Sequence, residues 1–241
     1  MVLCWIGETL LDTMKILITG ASKGIGAYLF EKLLAEGFSV YGTYNSTLPA
    51  NVARQHYFKV DITNQADVDV WIQKVVTTND DIILVNCAGI NYSALARKTE
   101  MSRWEQLINV NLIGTFRVIR ALLPFMHQRK FGRIINFSSV VAQKGVPGTS
   151  AYAASKAALW GVTKCLAVEM GNENITINTL NLGYFDVGMI AEVPDRLKEK
   201  ILNEIPNHQL GDPENIYQMV KLLIKADYIN GAAINVNGGL Y

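Results

Sequence analysis

The sequence predicts an α/β fold of the Rossmann type, a doubly wound parallel sheet of about seven strands with helices on both faces. Three observations point there. Short runs rich in Val and Ile recur along the 241 residues and alternate with longer stretches of helical periodicity. Several of those runs are continuously apolar, as strands buried on both faces require. The first run ends in a glycine cluster that opens directly into a helical pattern, as in a β-α-β unit.

In order, KILITG (15–20) reads as a strand, and Ile25, Leu29, Leu33 and Leu34 give the next stretch a helical apolar face. FSVYGTY (38–44) and YFKVD (57–61) are strands, followed by a helix over about 64–77 and the strand IILVN (82–86). A long helix over about 102–128, the strand RIINFSS (133–139), a helix over about 150–170 and the strand ITINTLNLG (175–183) come next. A helix near 195–205 precedes one begun by Asp212-Pro213, an N-cap followed by proline at the first helical position, and AINVN (233–237) is the last strand. No repeat or linker divides the chain, so 14–241 reads as one nucleotide-binding domain with a lid over about 184–210. Residues 1–13 form a separate extension. Met14 directly precedes the first strand, so translation beginning there and a genuine N-terminal arm both stay open.

Composition excludes several classes. Half the residues are hydrophobic and 18% are charged, enough for a large core and too apolar for disorder. Lys and Arg number 22 against 21 Asp and Glu, without the basic excess that nucleic-acid binding needs. Cys4, Cys87 and Cys165 are odd in number and form no CxxC, so neither a disulfide framework nor a metal site is expected, and a reducing cytoplasm fits. The first 13 residues lack a basic region, carry Glu8 and Asp12, and are too short to span a bilayer, which argues against a signal peptide or membrane anchor.

Gly20, Ser22, Lys23, Gly24, Ile25 and Gly26 lie where the first strand turns into the first helix. Backbone N–H groups and the helix dipole there suit a pyrophosphate, and glycines let it approach closely. The spacing is GxxxGxG, distinct from the common GxGxxG. An NAD site usually offers an acid about 20 residues after the glycines. None occurs between Glu36 and Asp61, whereas Lys23 and the neutral Thr43, Asn45 and Ser46 could meet a 2′-phosphate. NADP(H) is therefore expected over NAD(H), with an ordinary loop lysine as the alternative for Lys23.

Tyr152 and Lys156 are four apart on one helix face, and Ser139 ends the preceding strand. A neighbouring ammonium favours phenolate, so this pair could exchange a proton with a carbonyl oxygen. Taken together, TGASKGIG (19–26), NCAG (86–89), Asn111 in NVNLIGTF, Ser139 in GRIINFSS and YAASK (152–156) resemble the short-chain dehydrogenases/reductases, in their compact branch. The likeness runs from about residue 14 to VNGGLY at the end, and is greatest to 3-oxoacyl-acyl-carrier-protein reductases.

That resemblance implies a catalytic tetrad. Tyr152 would be general acid or base, Ser139 would bind the substrate oxygen, Lys156 would lower the Tyr152 pKa and hold the nicotinamide ribose, and Asn111 would anchor a water. Ser138 is the neighbouring alternative to Ser139, whose spacing of 13 to Tyr152 matches the family. The resemblance also assigns Asp61 and Ile62 to the adenine and Asn86, Ala88, Gly89 and Gly183 to the cofactor. It implies reduction of a 3-oxoacyl thioester or other small ketone, with NAD-dependent alcohol or sugar oxidation, or nucleotide sensing without catalysis, as alternatives.

Two departures stand out: Leu182 occupies the place of the family's usual Pro, and Val187 that of a Thr near the cofactor. An acyl carrier protein would dock on basic residues. Arg129, Lys130 and Arg133 keep the first patch, while Glu173 takes the second basic position. Leu197, Ile201, Leu202 and Ile205 form an apolar stripe on the expected lid, and His208 reads as a surface histidine. Trp104, Leu107, Leu159 and Trp160 lie on the helices that pair between subunits in the family, which implies a homotetramer or homodimer.

Overall fold

The computed structural model describes residues 14–49 and 53–241; the proposed extension, residues 1–13, lies outside them. Strand β1 (Met14–Thr19) leads into helix α1 (Gly24–Ala35) and β2 (Ser39–Tyr44), the first β-α-β unit. Then come β3 (Tyr57–Lys59), α2 (Gln65–Val75), β4 (Asp81–Asn86), α3 (Met101–Ile108) and α4 (Thr115–Arg129). The remainder is β5 (Gly132–Ser139), α5 (Val140–Lys144), α6 (Ser150–Met170), β6 (Ile175–Leu182), α7 (Asp195–Glu204), α8 (Glu214–Lys225) and β7 (Ala233–Val236). The seven strands form one sheet in the order β3-β2-β1-β4-β5-β6-β7, and every pairing is parallel. The expected doubly wound sheet is therefore present.

Alternation along the strands builds two cores from one sheet. Ile16, Ile18, Ile83, Val85, Ile135 and Phe137 pack on one face against Leu29, Phe30 and Leu33 of α1 and Ile216, Tyr217 and Val220 of α8. Leu17, Ile82, Leu84 and Ile134 face the other way, onto α2, α4 and α6. With both faces covered, the strands carry no solvent face, which is why their sequences read as unbroken apolar runs. Helix starts follow local chemistry. The Asn64 side chain accepts from the N–H groups of Ala66 and Asp67 to cap α2, whereas α8 begins one residue later than expected, with Pro213 as its N-cap and Asp212 Oδ1 accepting from Glu214 N at 2.8 Å just ahead of it.

One expected element is divided. The helix foreseen over 102–128 is broken by a π-helical turn at Asn109–Gly114. The turn points Asn111 inward, where its side chain bonds both backbone groups of Ile90, and the extra residue per turn is the local cost of that placement. By length and hydropathy the run Met101–Arg129 could cross a membrane, but its Leu107, Val118, Ile119, Leu122 and Met126 are fully buried in the protein.

Candidate active site

The glycine loop is shaped by lack of room. A Cβ on Gly20 would stand 2.7 Å from the Ala88 Cα, and one on Gly26 would stand 2.3 Å from the Gly20 carbonyl oxygen. Gly20 (φ +66°) and Gly24 (φ +60°) also occupy the left-handed region. The loop is pinned on both sides: Gly20 N donates to Thr43 Oγ1 at 3.1 Å, and Ala88 N donates to Thr19 Oγ1 at 3.1 Å. α1 begins there with no acid in its first turn, as an anion at its N-terminus requires. The backbone surface fits a dinucleotide pyrophosphate.

Around this loop the expected cofactor residues divide. Lys23, the N-cap of α1, is exposed, as are Asn45 and Ser46 just past β2, while Ser22 and Ile25 are half-buried. Thr43, read as a donor to a 2′-phosphate, is instead buried and holds the loop. Asp61 Oδ1 accepts from Thr63 N at 2.8 Å, so one carboxylate oxygen shapes the turn that presents the residue, and Ile62 is buried against Gly114. Asn86 is buried and donates to Asn136 Oδ1 at 2.9 Å, tying β4 to β5. Gly89 approaches the tetrad, since a Cβ there would lie 3.3 Å from Asn111 Oδ1 and 3.7 Å from Lys156 Nζ.

The tetrad residues meet at the exits of β4 and β5. Ser139 ends β5 and caps α5, accepting from Val141 N at 3.2 Å, and its hydroxyl lies close enough to the Tyr152 phenol to favour the phenolate. Ser138 is committed elsewhere, donating to the Lys156 carbonyl at 2.8 Å inside the protein. Lys156 is buried on α6 with its Nζ 5.7 Å from the centre of the Tyr152 ring, and it donates to Phe137 O at 2.8 Å. Asn111 is fully buried and also donates to Ser155 Oγ at 3.2 Å.

Electrostatics differ from the sequence expectation. Burial pushes the Tyr152 phenol up to about 12, against the lowering effect of Ser139 and with a further rise from Tyr184. Burial likewise lowers Lys156 to about 8. The ammonium was expected to lower the phenol's pKa. Here it is turned towards the Phe137 carbonyl, and desolvation dominates both groups. Tyr152 accordingly keeps its proton at neutral pH, and it can give that proton up only where the phenolate left behind is stabilised.

The family model for short chain dehydrogenases matches residues 14–198. The chain belongs to this family. The dehydrogenase is 35% identical over 237 residues to a 3-oxoacyl-acyl-carrier-protein reductase of Pseudomonas aeruginosa, covering 93% of this chain and 96% of the relative. It is 37% identical to an acetoacetyl-CoA reductase of Rhizobium meliloti, covering 93% and 97%. A Staphylococcus aureus 3-oxoacyl-acyl-carrier-protein reductase is 34% identical, covering 95% and 98%. The protein is therefore an NAD(P)-dependent oxidoreductase acting on alcohol or carbonyl groups.

Beyond the tetrad, this dehydrogenase carries features that the motifs did not announce. Gly188 lies against the glycine loop, so that a Cβ on Gly24 would stand 3.1 Å from the Gly188 Cα. Segment 184–210 has a small core of its own, with Ile190, Ile201 and Ile205 buried together. Of the expected stripe on α7, Leu197 faces solvent instead. The basic patch at the end of α4 is largely spent. Arg129 Nε donates to Asp81 at 2.7 Å, Arg133 is buried and bonded to Asn174, and His127 Nδ1 and Lys130 lie 2.6 and 3.8 Å from Glu173. Leu107 and Leu159 are interior to the subunit, while Met101 on α3, Ile113 in the π-turn, Phe116 on α4 and Val168 on α6 are exposed. Cys87 and Cys165 are free thiols, and no metal-binding cluster occurs among the described residues.

Proposed function

We propose that the protein uses NADPH to reduce a ketone, a 3-oxoacyl thioester or another small carbonyl compound, to an alcohol. The observation carrying this reading is the convergence of Ser139, Tyr152, Lys156 and Asn111 on the glycine loop's side of the sheet. Gly20, Ser22, Gly24, Ile25 and Gly26 would hold the pyrophosphate, with Lys23, Asn45 and Ser46 around an adenosine 2′-phosphate. Asp61 and Ile62 would border the adenine, and Asn86, Ala88, Gly89 and Gly183 the remainder. The bound nicotinamide supplies the hydride in reduction and accepts one in oxidation.

The side chains manage the proton and the charge. Tyr152 donates its proton to the carbonyl oxygen as negative charge grows there, and Ser139 donates a hydrogen bond to the same oxygen. Lys156 would hold the ribose hydroxyls and place its positive charge beside the phenolate left behind. Asn111 fixes the backbone of Ile90 next to Gly89 and would anchor the water that returns the proton.

An acidic carrier suits this surface poorly, because Asp81 and Glu173 already occupy much of the basic patch, and a small ketone needs no such patch. Ile113, Phe116 and Val168 would be covered in a homodimer or homotetramer, in a cytoplasmic setting. The test pairs melting with turnover. NADPH at about a hundred times its Kd should add roughly 2.7 kcal/mol, with a smaller gain for NADH at the same concentration. NADPH oxidation should require acetoacetyl-CoA or ethyl acetoacetate. Stabilisation by NADPH with no turnover of any ketone would favour nucleotide sensing, and equal efficiency with NADH would remove the NADP(H) preference.

A further inference from the structure

The turn between β3 and α2 carries Asp61 and Ile62, and most of its hydrogen bonds are local. Asp61 Oδ1 accepts from Thr63 N at 2.8 Å and from Thr63 Oγ1 at 2.7 Å, and Asn64 N donates to Asp61 O at 2.9 Å. Asp61 N donates to Asp67 Oδ2 at 3.0 Å, in the first turn of α2. One bond comes from a remote element. Arg117, half-buried on α4, donates from Nη1 to Ile62 O at 2.9 Å across 55 positions. The same stretch of chain grips the Ile62 side chain, which is buried: a Cβ on Gly114 would stand 2.9 Å from Ile62 Cγ1.

The Arg117 bond acts on a single peptide group. Ile62 O and Thr63 N belong to one planar unit. Arg117 holds its oxygen while Asp61 Oδ1 accepts from its N–H, so the guanidinium fixes the plane to which the Asp61 carboxylate is tied. Ile62 N and Asp61 Oδ2 make no hydrogen bond among the described residues. They place a donor and an acceptor on adjacent residues, the pair that the ring nitrogen and amino group of an adenine require. Without Arg117 the Ile62 carbonyl loses a charge-assisted bond, and the plane is free to turn and carry the carboxylate with it. Asn111, six residues earlier, fixes Ile90 beside Gly89, so one stretch of chain serves both the tetrad and the adenine turn.

We propose that Arg117 is a positioning residue for the adenine half of the cofactor, acting through the Ile62–Thr63 peptide and the Asp61 carboxylate without touching the nucleotide. The proposal rests on the assignment of Asp61 and Ile62 to the adenine and adds the residue that sets their geometry.

The test is calorimetric titration of the full chain with 2′,5′-ADP, ADP and nicotinamide mononucleotide. Arg117→Met should weaken both adenosine probes to the same extent, by about 5–10-fold, and leave nicotinamide mononucleotide within about twofold. Arg117→Lys keeps one donor and should recover most of the loss. In an Asp61→Ala background, Arg117→Met should cost no more than about twofold further, because the group it orients is gone. A loss confined to 2′,5′-ADP would make Arg117 a direct phosphate contact, and equal loss of all three probes would make its role structural. Either result overturns the proposal, as do additive losses in the double variant, unchanged binding, or a parent that binds neither adenosine probe. Should the methionine variant not fold, Arg117→Gln is read in the same way. The titrations need no turnover, so a parent that binds both adenosine probes yet reduces no ketone would count against ketone reduction and leave Arg117 to be judged by binding.

Discussion

At the β1–β4 end of the sheet the ligand-facing surface is made of backbone, whereas at the β5–β6 end it is made of side chains. Gly20 and Gly26 would drive a Cβ into Ala88 or into the loop's own carbonyl, and Gly20 N and Ala88 N are each held by a buried threonine. The other end presents Ser139, Tyr152 and Tyr184, then segment 184–210 with its separate small core. Backbone geometry leaves little freedom for variation, and a side-chain surface can be rewritten residue by residue. The difference separates a fixed cofactor half from an adaptable substrate half, and substitutions on each side should fail differently.

The largest effect belongs to the chemistry. Tyr152→Phe should lower kcat for ketone reduction about 10²–10⁴-fold while leaving NADPH-induced stabilisation intact in a melting assay. Loss of both together would mean that the two halves are not separable. Next comes Gly20→Ala, which combines a positive φ with a clash against backbone and should cost about 3 kcal/mol or more. Gly37→Ala is its control. Gly37 has φ +87° but open space where the Cβ would go, so the cost should be only about 1–2 kcal/mol. Equal losses in urea titrations of the two variants would show that crowding by Ala88 contributes nothing.

A third prediction concerns pH. Lys156 is lowered to about 8 in the folded protein, so between about 8 and its ordinary 10.5 the unfolded chain binds more protons. Burying the ammonium therefore costs stability at neutral pH, and the cost is relieved as pH rises through that window. Lys156→Met should melt above the parent at pH 7, with the gap narrowing towards pH 10, while ketone reduction by the parent should decline above about pH 8. A gap independent of pH would assign the difference to packing. The smallest effect is expected at the exposed Lys23, where Lys23→Ala should lower the NADPH-over-NADH ratio of kcat/KM by about 5–10-fold. An unchanged ratio would shift the phosphate contact to Asn45 and Ser46.

Sequence legibility follows the same division. The glycine loop could be read because a strand, a turn and a helix start lie within a dozen consecutive residues, and Tyr152 and Lys156 because one helix turn separates them. Strand positions were readable because burial on both faces leaves unbroken apolar runs. The π-turn at Asn109–Gly114 was hidden, since one extra residue barely disturbs a helical pattern, and only the inward Asn111 betrays it. Pairings between distant residues were equally silent. Arg129 with Asp81, and Lys130 with Glu173, convert an apparent basic patch into a largely neutral one. Arg117 meets the Ile62 carbonyl across 55 positions, with no spacing or motif to announce it.

Gly24 and Gly188 touch nearly backbone to backbone, although 163 positions intervene. Their histories are thereby linked. A first side chain at either position must part the two segments, and once they have parted, a second at the other meets less resistance. Fitness losses from single substitutions should therefore exceed half the loss of the double, making this pair an epistatic lock that holds two remote stretches of sequence to a common pace of change.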